Sequence, residues 1–445
     1  MRIRPCSATT RHGCWHELSE PLEEVPDGAT PARSDLHNAS LLYAATIASQ
    51  VLTAAVYLLC ARSSTPEELG NAAAAVSVIA VCVGVVDFGG AAYTIREMAA
   101  LRMTAGMFRR WLLSKSVVVF ASALVVAGVT AAMGSSNRWA TGSSTWIYFS
   151  AWSLALVASV PLRANMKFAK LSAMLAISRV PSALAAVLLF TTGHLRSEFL
   201  IPLLAATSLL ELALYIASAA FAEVRTDVAQ SRWHPVNPYR ATWRIGINAT
   251  VISFASLDTV VVREASGSAS AGQFSAVSKW MGPIGLVSNA ISQAFFPRLS
   301  STSRSDRARV LRSALIPIAL SLPILLLIAL NSENIVRVLI GPGYPDAGKV
   351  LAVLCAGMGF ALFNQPLNGA LVAWRLERVA TISLAVGIGS QLVAQFFFSA
   401  AVGSVGGAWG FLVGQTITTA ALTVAILVQR STWSRLDAEL PGVRA

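Results

Sequence analysis

Four charged side chains lie inside segments that are otherwise apolar for about twenty residues: Arg179, Glu211, Asp258 and Lys279. A charge in hydrocarbon costs about 2.5 to 3.5 kcal/mol on insertion scales, so each of these residues needs a partner or a water-filled cavity. An arginine or lysine in such a cavity can attract a phosphate, and a carboxylate can act as its counter-ion or hold a proton or cation. We therefore treat the two basic residues as candidate substrate-binding groups and the two acidic residues as candidate charge partners or ion-coupling groups.

The predicted depths of these charges favour two pairs. Arg179 lies about eight residues into its helix and Glu211 about ten residues from the end of the next, which places them roughly 12 and 15 Å from one face at about 1.5 Å per residue. Asp258 and Lys279 both lie about 10 Å from the opposite face and can pair likewise. A structural ion pair and a substrate or ion site both fit Arg179 with Glu211, whereas Asp258 and Lys279 can also reach interfacial water by snorkelling.

A third polar group surrounds a proline in the run Asn364-Gln365-Pro366-Leu367-Asn368. Because proline has no N–H group, it frees a backbone carbonyl beside three amide side chains in the middle of an apolar helix. A membrane tolerates such a break only against protein or a water-filled cavity. Asn364, Gln365 and Asn368 are therefore candidate substrate-binding residues, although most amides in membrane helices make interhelical hydrogen bonds worth about 1 kcal/mol.

The elements that must position these groups are membrane-spanning helices. Of the 445 residues, 55% are hydrophobic and 13% are charged, and the mean hydropathy is +0.62, which differs from the usual composition of soluble domains. A bilayer core of about 30 Å needs about 20 apolar residues in a helix. Hydropathy predicts an all-α polytopic membrane protein with about 12 transmembrane helices, at 39–61, 70–88, 110–133, 144–162, 171–192, 199–221, 244–263, 272–296, 313–331, 350–373, 378–400 and 403–428.

A polar segment at 222–243 divides these helices into two sets of six. We expect a disordered cytoplasmic tail at 1–38, an N-terminal six-helix bundle at 39–221, a cytoplasmic linker at 222–243, a C-terminal six-helix bundle at 244–428 and a cytoplasmic tail at 429–445. Six is an even number, so both bundles enter the membrane in the same direction, as in a parallel repeat. Gly70-Asn71-Ala72 at the start of the second span and Gly272-Gln273-Phe274 at the start of the eighth are a weak trace of such a repeat.

Basic residues predict the orientation, because short loops rich in lysine and arginine stay in the cytoplasm. The loops on one side hold 18 such residues and those on the other side hold six, so we expect both termini to be cytoplasmic. The first set is Arg96, Arg102, Arg109, Arg110, Arg163, Lys167, Lys170, Arg225, Arg232, Arg240, Arg244, Arg298, Arg304, Arg307, Arg309, Arg312, Arg375 and Arg378, and the second is Arg62, Arg138, Arg196, Arg263, Arg337 and Lys349.

Several classes of function are disfavoured. The net charge of +12 is explained by cytoplasmic loops, so no nucleic-acid partner is expected. The five cysteines are scattered and none has metal-ligand spacing, so we expect neither a metal site nor another cofactor. The longest outward loop, 332–349, is about 18 residues and too short for a separate catalytic domain. No catalytic residues are predicted.

The short loops resemble those of a known group of transporters. The matching stretches are PEELGNA (66–72), DFGGAAYTIRE (87–97), PLRANMKFAK (161–170), SLDTVVV (256–262), AGQFSAVSK (271–279), AFFPRLS (294–300) and LIGPGYPDAGKVL (339–351). In their order and placement, over about residues 39–428, they resemble the polysaccharide-export flippases of the multidrug/oligosaccharidyl-lipid/polysaccharide exporter superfamily.

This resemblance implies two six-helix bundles around a central cavity that opens alternately to each side. The implied substrate is a polyprenyl-diphosphate-linked oligosaccharide, moved across a bacterial plasma membrane for cell-surface polysaccharide synthesis. The implied partners are this lipid-linked substrate, membrane lipids and polysaccharide-assembly proteins. A diphosphate needs a hydrated cationic path, for which Arg179 and Lys279 are the candidates, with Glu211 and Asp258 as counter-ions or as proton or cation sites.

Three other functions remain open from the sequence. A cation-coupled multidrug exporter of the same superfamily often has an acidic residue in its first span, where this chain has Gln50. A lipid II flippase of that superfamily usually carries two more helices. A membrane polysaccharide polymerase is an enzyme, and the sequence lacks the long outward loop with converging arginine, histidine or carboxylate groups that it would need.

Overall fold

The computed structural model describes residues 33–99, 103, 105–133, 138–218, 238–301, 306–374 and 376–439. Residues 1–32 of the predicted tail, most of the predicted linker with Arg225 and Arg232, and the loop residues Arg102, Arg304 and Arg375 lie outside this part. The first half contains α1 (Arg33–Arg62), α2 (Pro66–Asp87), α3 (Gly90–Ala99), α4 (Ala105–Met133), α5 (Arg138–Ala158), α6 (Val160–Ala164), α7 (Phe168–Thr191) and α8 (Leu200–Ala217).

The second half contains ten helices in its described part. They are α9 (Pro238–Phe254), α10 (Asp258–Ser266), α11 (Ser268–Ser278), α12 (Met281–Ser301), α13 (Arg307–Ala319), α14 (Leu322–Leu330), α15 (Ser332–Leu339), α16 (Ala347–Ala373), α17 (Glu377–Val402) and α18 (Ser404–Glu439). The described part of the chain contains no strand, as the all-α prediction requires. Helix α1 begins and α18 ends inside the segments predicted as tails.

Eleven helical segments within the described residues are long and apolar enough to cross a membrane. The remaining predicted span, 272–296, is divided into α11 and α12 instead of forming one helix. Pro283 explains the break, because its ring would clash with the carbonyl of Lys279 and it has no N–H group to bond to that carbonyl. At the break, the Trp280 N–H group bonds the Val277 carbonyl three residues back, as in the last turn of many helices.

Local sequence sets the ends of α2, which is the helix that joins the two halves. Thr65 and Glu68 form a reciprocal capping box at its start, and Pro66 occupies the first turn. Phe88 follows the last turn in a left-handed conformation, and its N–H group bonds the Gly84 carbonyl. We call the side of the molecule that holds Pro66, Ser268 and Ala347 the Pro66 end, and the opposite side the Asp87 end.

Each half is a bundle with its own set of contacts. In the first, α1 packs on α7, and α5 packs on α4 and α8; in the second, α18 packs between α16 and α17, and α16 also packs on α12 and α14. The halves meet through α2, which contacts α9, α10 and α11, and through α1, which contacts α12. A cleft between the halves must therefore be bordered by α1, α2, α9 and the helices α10 to α12.

The contact between α2 and α11 at the Pro66 end is a backbone-to-backbone contact between two glycines. A Cβ atom added at Gly70 would overlap the Ser268 carbonyl, and one added at Gly272 would overlap the Pro66 carbonyl. These are the two glycines that the weak internal repeat places at equivalent positions. At the Asp87 end the two halves also touch, because the Phe88 ring occupies the space beside Gly246.

Candidate functional site

An ion pair lies inside the first bundle, where α7, α8 and α1 meet. Arg179 Nη2 is 3.1 Å from Glu211 Oε2, and Arg179 Nε donates a hydrogen bond to Ser49 Oγ at 3.0 Å. Tyr215 donates from its hydroxyl to the other carboxylate oxygen of Glu211 at 3.1 Å. The structure thus brings Arg179 and Glu211 into contact, as their predicted depths require.

This pair is shielded from solvent on several sides. The Arg179 and Glu211 side chains are 21% and 13% exposed, and Ser49 is buried. Tyr148 on α5 is buried within electrostatic reach of both charges, and its ring stacks on Trp152 at a centroid distance of 5.4 Å. The charge of Arg179 is therefore compensated by Glu211, and the cluster as a whole carries little net charge.

The second predicted pair is not formed. Asp258 Oδ1 accepts from the Thr259 N–H group at 2.6 Å and from the Thr259 hydroxyl at 3.1 Å, and no ion pair joins it to Lys279. Asp258 precedes the turn at Gly267 by nine residues and Lys279 follows it by twelve, so their depths differ by about 4.5 Å instead of being equal, and the Asp258 carboxylate bonds Thr259. Within the described residues Lys279 has no hydrogen-bond or ion-pair partner.

Lys279 lies at the break between α11 and α12, beside the seam between the halves. Its side chain is half-buried, and Gly282, one turn further along, is exposed. A Cβ atom added at Gly282 would lie 3.6 Å from Oε1 of Gln50, on α1 of the other half. Gln50 is itself exposed although it faces the opposite bundle, which indicates a water-accessible cleft at this level, because an exposed amide is costly in hydrocarbon.

Asn364 is part of a chain of amides within the second bundle. It donates to Gln415 Oε1 at 2.9 Å and accepts from Thr419 Oγ1 at 2.7 Å. Gln415 in turn donates to Gln391 Oε1 at 3.1 Å. These contacts occupy the Asn364 amide, so its role in the described structure is to hold α16, α17 and α18 together.

The carbonyl that Pro366 frees is also occupied. In a regular helix the N–H group of residue 366 would bond the Leu362 carbonyl, but proline has no N–H group. The Ser288 hydroxyl on α12 donates to this carbonyl instead. Ser292, one turn further along α12, donates to the Gln365 carbonyl at 3.2 Å. What remains available near Pro366 is the exposed side chain of Gln365 and the Oδ1 atom of Asn368, which is buried and lacks a partner in the described structure.

The ionic and amide clusters are built from helices with the same place in the order of each half. Tyr148, Arg179 and Glu211 come from the fourth, fifth and sixth spans, whereas Asn364, Gln391 and Gln415 come from the tenth, eleventh and twelfth. The sequence alone did not reveal this correspondence, because most amides in membrane helices make ordinary interhelical hydrogen bonds. It also gave Gln50 no role at the seam, since only the fold places Gln50 against Gly282.

No group of three or more histidine, cysteine, aspartate or glutamate side chains within the described residues is arranged to hold a metal ion. In the described part of the chain, the candidate site presents the Lys279 ammonium group without a partner, the compensated Arg179 and several amides. Such groups attract and hydrogen-bond an anionic, hydroxyl-rich molecule.

Comparisons with known proteins agree with this architecture. A family model described as "Polysaccharide biosynthesis protein" matches residues 59–349, about two thirds of the chain. A search of curated proteins found no match. Several solved structures share the fold, among them a flippase and two transporters.

The first is a lipid II flippase, MurJ, in an inward closed conformation, with 15% identity, 87% of each chain covered and a TM-score of 0.67. The second is an inward-facing multidrug resistance transporter of the MATE family, with 13% identity, 87% of this chain and 96% of that chain covered, and a TM-score of 0.66. The third is a transporter of the same superfamily from Pyrococcus furiosus, with 12% identity, 89% and 95% coverage and a TM-score of 0.58. The chain therefore belongs to the polysaccharide biosynthesis protein family and has the fold of the multidrug/oligosaccharidyl-lipid/polysaccharide exporter superfamily.

Proposed function

We propose that this protein is a flippase that moves a polyprenyl-diphosphate-linked oligosaccharide across the bacterial plasma membrane by alternating access. The observation that carries the proposal is Lys279, an uncompensated cation at a helix break beside the cleft between the halves. Membership of the polysaccharide biosynthesis family supports the sugar part of the substrate. Sugar hydroxyls and a diphosphate need amides and positive charge on their path, whereas a prenyl chain can remain in lipid.

The contacts of the two basic residues favour Lys279 over Arg179 as the first group to meet a phosphate. Arg179 already has Glu211 as its counter-ion, so a phosphate would have to displace a carboxylate to reach it. Lys279 has no such competitor in the described structure, and a lysine that is half-buried can be compensated by an incoming anion. We therefore assign the first contact with the diphosphate to Lys279 and a supporting role to Arg179.

Gln50, Gln365 and Asn368 extend the polar path for the sugar. Gln50 and Gln365 have exposed amides in membrane-spanning helices, and Asn368 has a buried oxygen with no partner among the described residues. Amides donate and accept hydrogen bonds, so they match the hydroxyl groups of a sugar whatever their orientation. Asn364 contributes indirectly, through the packing of α16.

The proposed orientation places the Asp87 end in the cytoplasm, together with both termini, because the basic loops lie there. The substrate would then enter from the Asp87 end and leave at the Pro66 end. Polysaccharide-assembly proteins that act on the exported sugar would be the partners at the Pro66 end.

The test replaces Lys279 in cells that make the polysaccharide. We expect Lys279→Ala to cause lipid-linked oligosaccharide to accumulate on the cytoplasmic leaflet and to reduce export at least about tenfold, as the loss of one charge-assisted contact predicts. Lys279→Arg should keep most of the export, because the positive charge remains. Lys349→Ala, at an exposed position of the same sign, is the matched control.

Normal export by Lys279→Ala at matched membrane levels would show that the cation is not needed. A drug exporter is the second candidate, supported by the fold of the inward-facing multidrug transporter. If deletion of the gene left the polysaccharide intact and raised drug sensitivity, that function would replace the one proposed here.

A further inference from the structure

A tyrosine of the second half is buried against the first half at the Pro66 end. Tyr344 lies in the loop between α15 and α16, yet it is only 4% exposed and belongs to the same buried cluster as Cys60 and Leu69. Its hydroxyl donates to the Ser64 carbonyl at 3.2 Å. Burial raises the pKa of Tyr344, and the nearby Glu68 carboxylate raises it further, so the ring enters the first half as a neutral hydrogen-bond donor.

Both sides of this contact are anchored in their own bundles. On the second half, the Asp346 N–H group donates to Gln273 Oε1 on α11 at 2.7 Å, which ties the loop to that helix. On the first half, the Ser197 N–H group donates to Ser64 Oγ at 2.7 Å. The Tyr344 ring therefore cannot follow the first half if the two halves separate.

Next to this loop, helix α2 of the first half meets helix α11 of the second half through Gly70 and Gly272. Because their backbones touch, there is no space at the Pro66 end for water or a sugar to pass between α2 and α11. The glycine contact and the tyrosine thus close the same end of the seam by two independent means. Apolar burial of the ring and the backbone contact must both be broken for this end to open.

We propose that Tyr344, inserted beside Cys60, together with the Gly70–Gly272 contact, forms a latch that holds the Pro66 end closed. Opening of that end withdraws Tyr344 from the first half and exposes Cys60. The role of this latch rests on the proposed transport function, but the closed contact and its opening can be measured without any substrate.

The experiment uses Cys60 as a natural reporter. In a protein whose other cysteines (Cys6, Cys14, Cys82 and Cys355) are replaced by alanine, an impermeant maleimide added from the Pro66 side should label Cys60 slowly. Tyr344→Ala and Gly272→Ala should each increase the labelling rate at least about tenfold, and Tyr344→Phe about fivefold, the effect of losing one hydrogen bond. Val338→Ala, on the exposed side of α15, should leave the rate unchanged.

A second reporter separates opening of the seam from simple uncovering of Cys60. Ala276 is fully buried one turn beyond Gly272 on α11, so Ala276→Cys in the cysteine-free protein reports on the seam itself. The latch predicts that Tyr344→Ala speeds labelling of both positions. If only Cys60 becomes reactive, or if Cys60 in the otherwise unchanged protein reacts as fast as an exposed Val338→Cys, the latch is wrong. A failed export assay with normal latch behaviour would instead count against the proposed substrate.

Discussion

Arg179 and Glu211 contribute more to the stability of the protein as a pair than either does without its partner. Removing one partner of a buried ion pair leaves an uncompensated charge, which costs about 3 to 5 kcal/mol in proteins. We expect Glu211→Gln to lower the stability of the detergent-solubilised protein strongly, and Arg179→Gln with Glu211→Gln to recover part of the loss. Thermal unfolding of the two single variants and the double variant measures this coupling.

The control for this cycle is Glu264→Gln, whose side chain is 63% exposed and faces Arg263 at 3.5 Å. An exposed pair of this kind contributes about 0 to 1 kcal/mol, so its loss should be close to neutral. A double variant no more stable than the sum of the single losses would mean that Arg179 and Glu211 do not stabilise each other.

At the level of single residues, the sequence predicted which charges need a partner but not always which partner they have. Depth along two neighbouring helices was sufficient for Arg179 and Glu211. It was insufficient for Asp258 and Lys279, because the break before Pro283 and the turn at Gly267 change the register of the two helices. Likewise, Pro366 predicted a free carbonyl, but only the fold shows that Ser288 occupies it.

Among the elements, α17 and α18 depend on a row of glycines. Gly406, Gly410 and Gly414 recur every four residues along α18, a spacing that lets a neighbouring helix approach closely, and that helix is α17. A Cβ atom at Gly410 would overlap the backbone of Gln395, which cannot move away as a side chain can. The amide chain from Asn364 to Gln391 depends on this same approach, because Gln391 lies against Gly414.

We therefore predict that Gly410→Ala separates α17 from α18 and lowers stability by about 2 kcal/mol or more, in the range for overpacking. Gly389→Ala on α17 is the matched control, since nothing lies within 4 Å of its added Cβ atom and alanine favours the helix by up to about 1 kcal/mol. Thermal unfolding in detergent compares the two variants. Equal stabilities would show that the close approach is not needed.

Helix number and order were predictable because each span must satisfy its backbone within itself and present apolar side chains to lipid. The positions of the breaks were less predictable. Pro283 and Pro323 both end a helix, but Pro366 leaves α16 continuous, because serines of α12 replace the missing bond. The outcome at each proline depends on its neighbours, which hydropathy does not identify.

For the whole molecule, the distribution of basic residues makes a prediction about orientation. Arg309, 87% exposed at the Asp87 end, and Lys349, 63% exposed at the Pro66 end, are suitable reporter positions. In intact cells, an impermeant thiol reagent should label Lys349→Cys and leave Arg309→Cys unlabelled until the membrane is opened. The reverse pattern would overturn the proposed orientation and, with it, the direction of transport.

The sequence indicated an internal repeat in the whole molecule. It did not indicate which polar side chains the repeat places inside each bundle. A short echo around Gly70 and Gly272 was visible in the sequence, and the fold turns it into a contact between the halves. The matching span order of the Arg179–Glu211 pair and the Gln391–Gln415 pair was not visible in the sequence, because charges and amides share no sequence motif. The two bundles are alike in framework and different in electrostatics.

The break in the predicted eighth span also bears on how the chain is made. Helix α11 has 11 residues and is about 16 Å long, roughly half of a bilayer core, so it cannot cross the membrane alone as it leaves the ribosome. Its Gly272 packs on α2 at Gly70, which precedes it by about two hundred residues in the chain. We therefore expect a substitution at Gly70 to reduce the amount of protein inserted in the membrane as well as its transport activity.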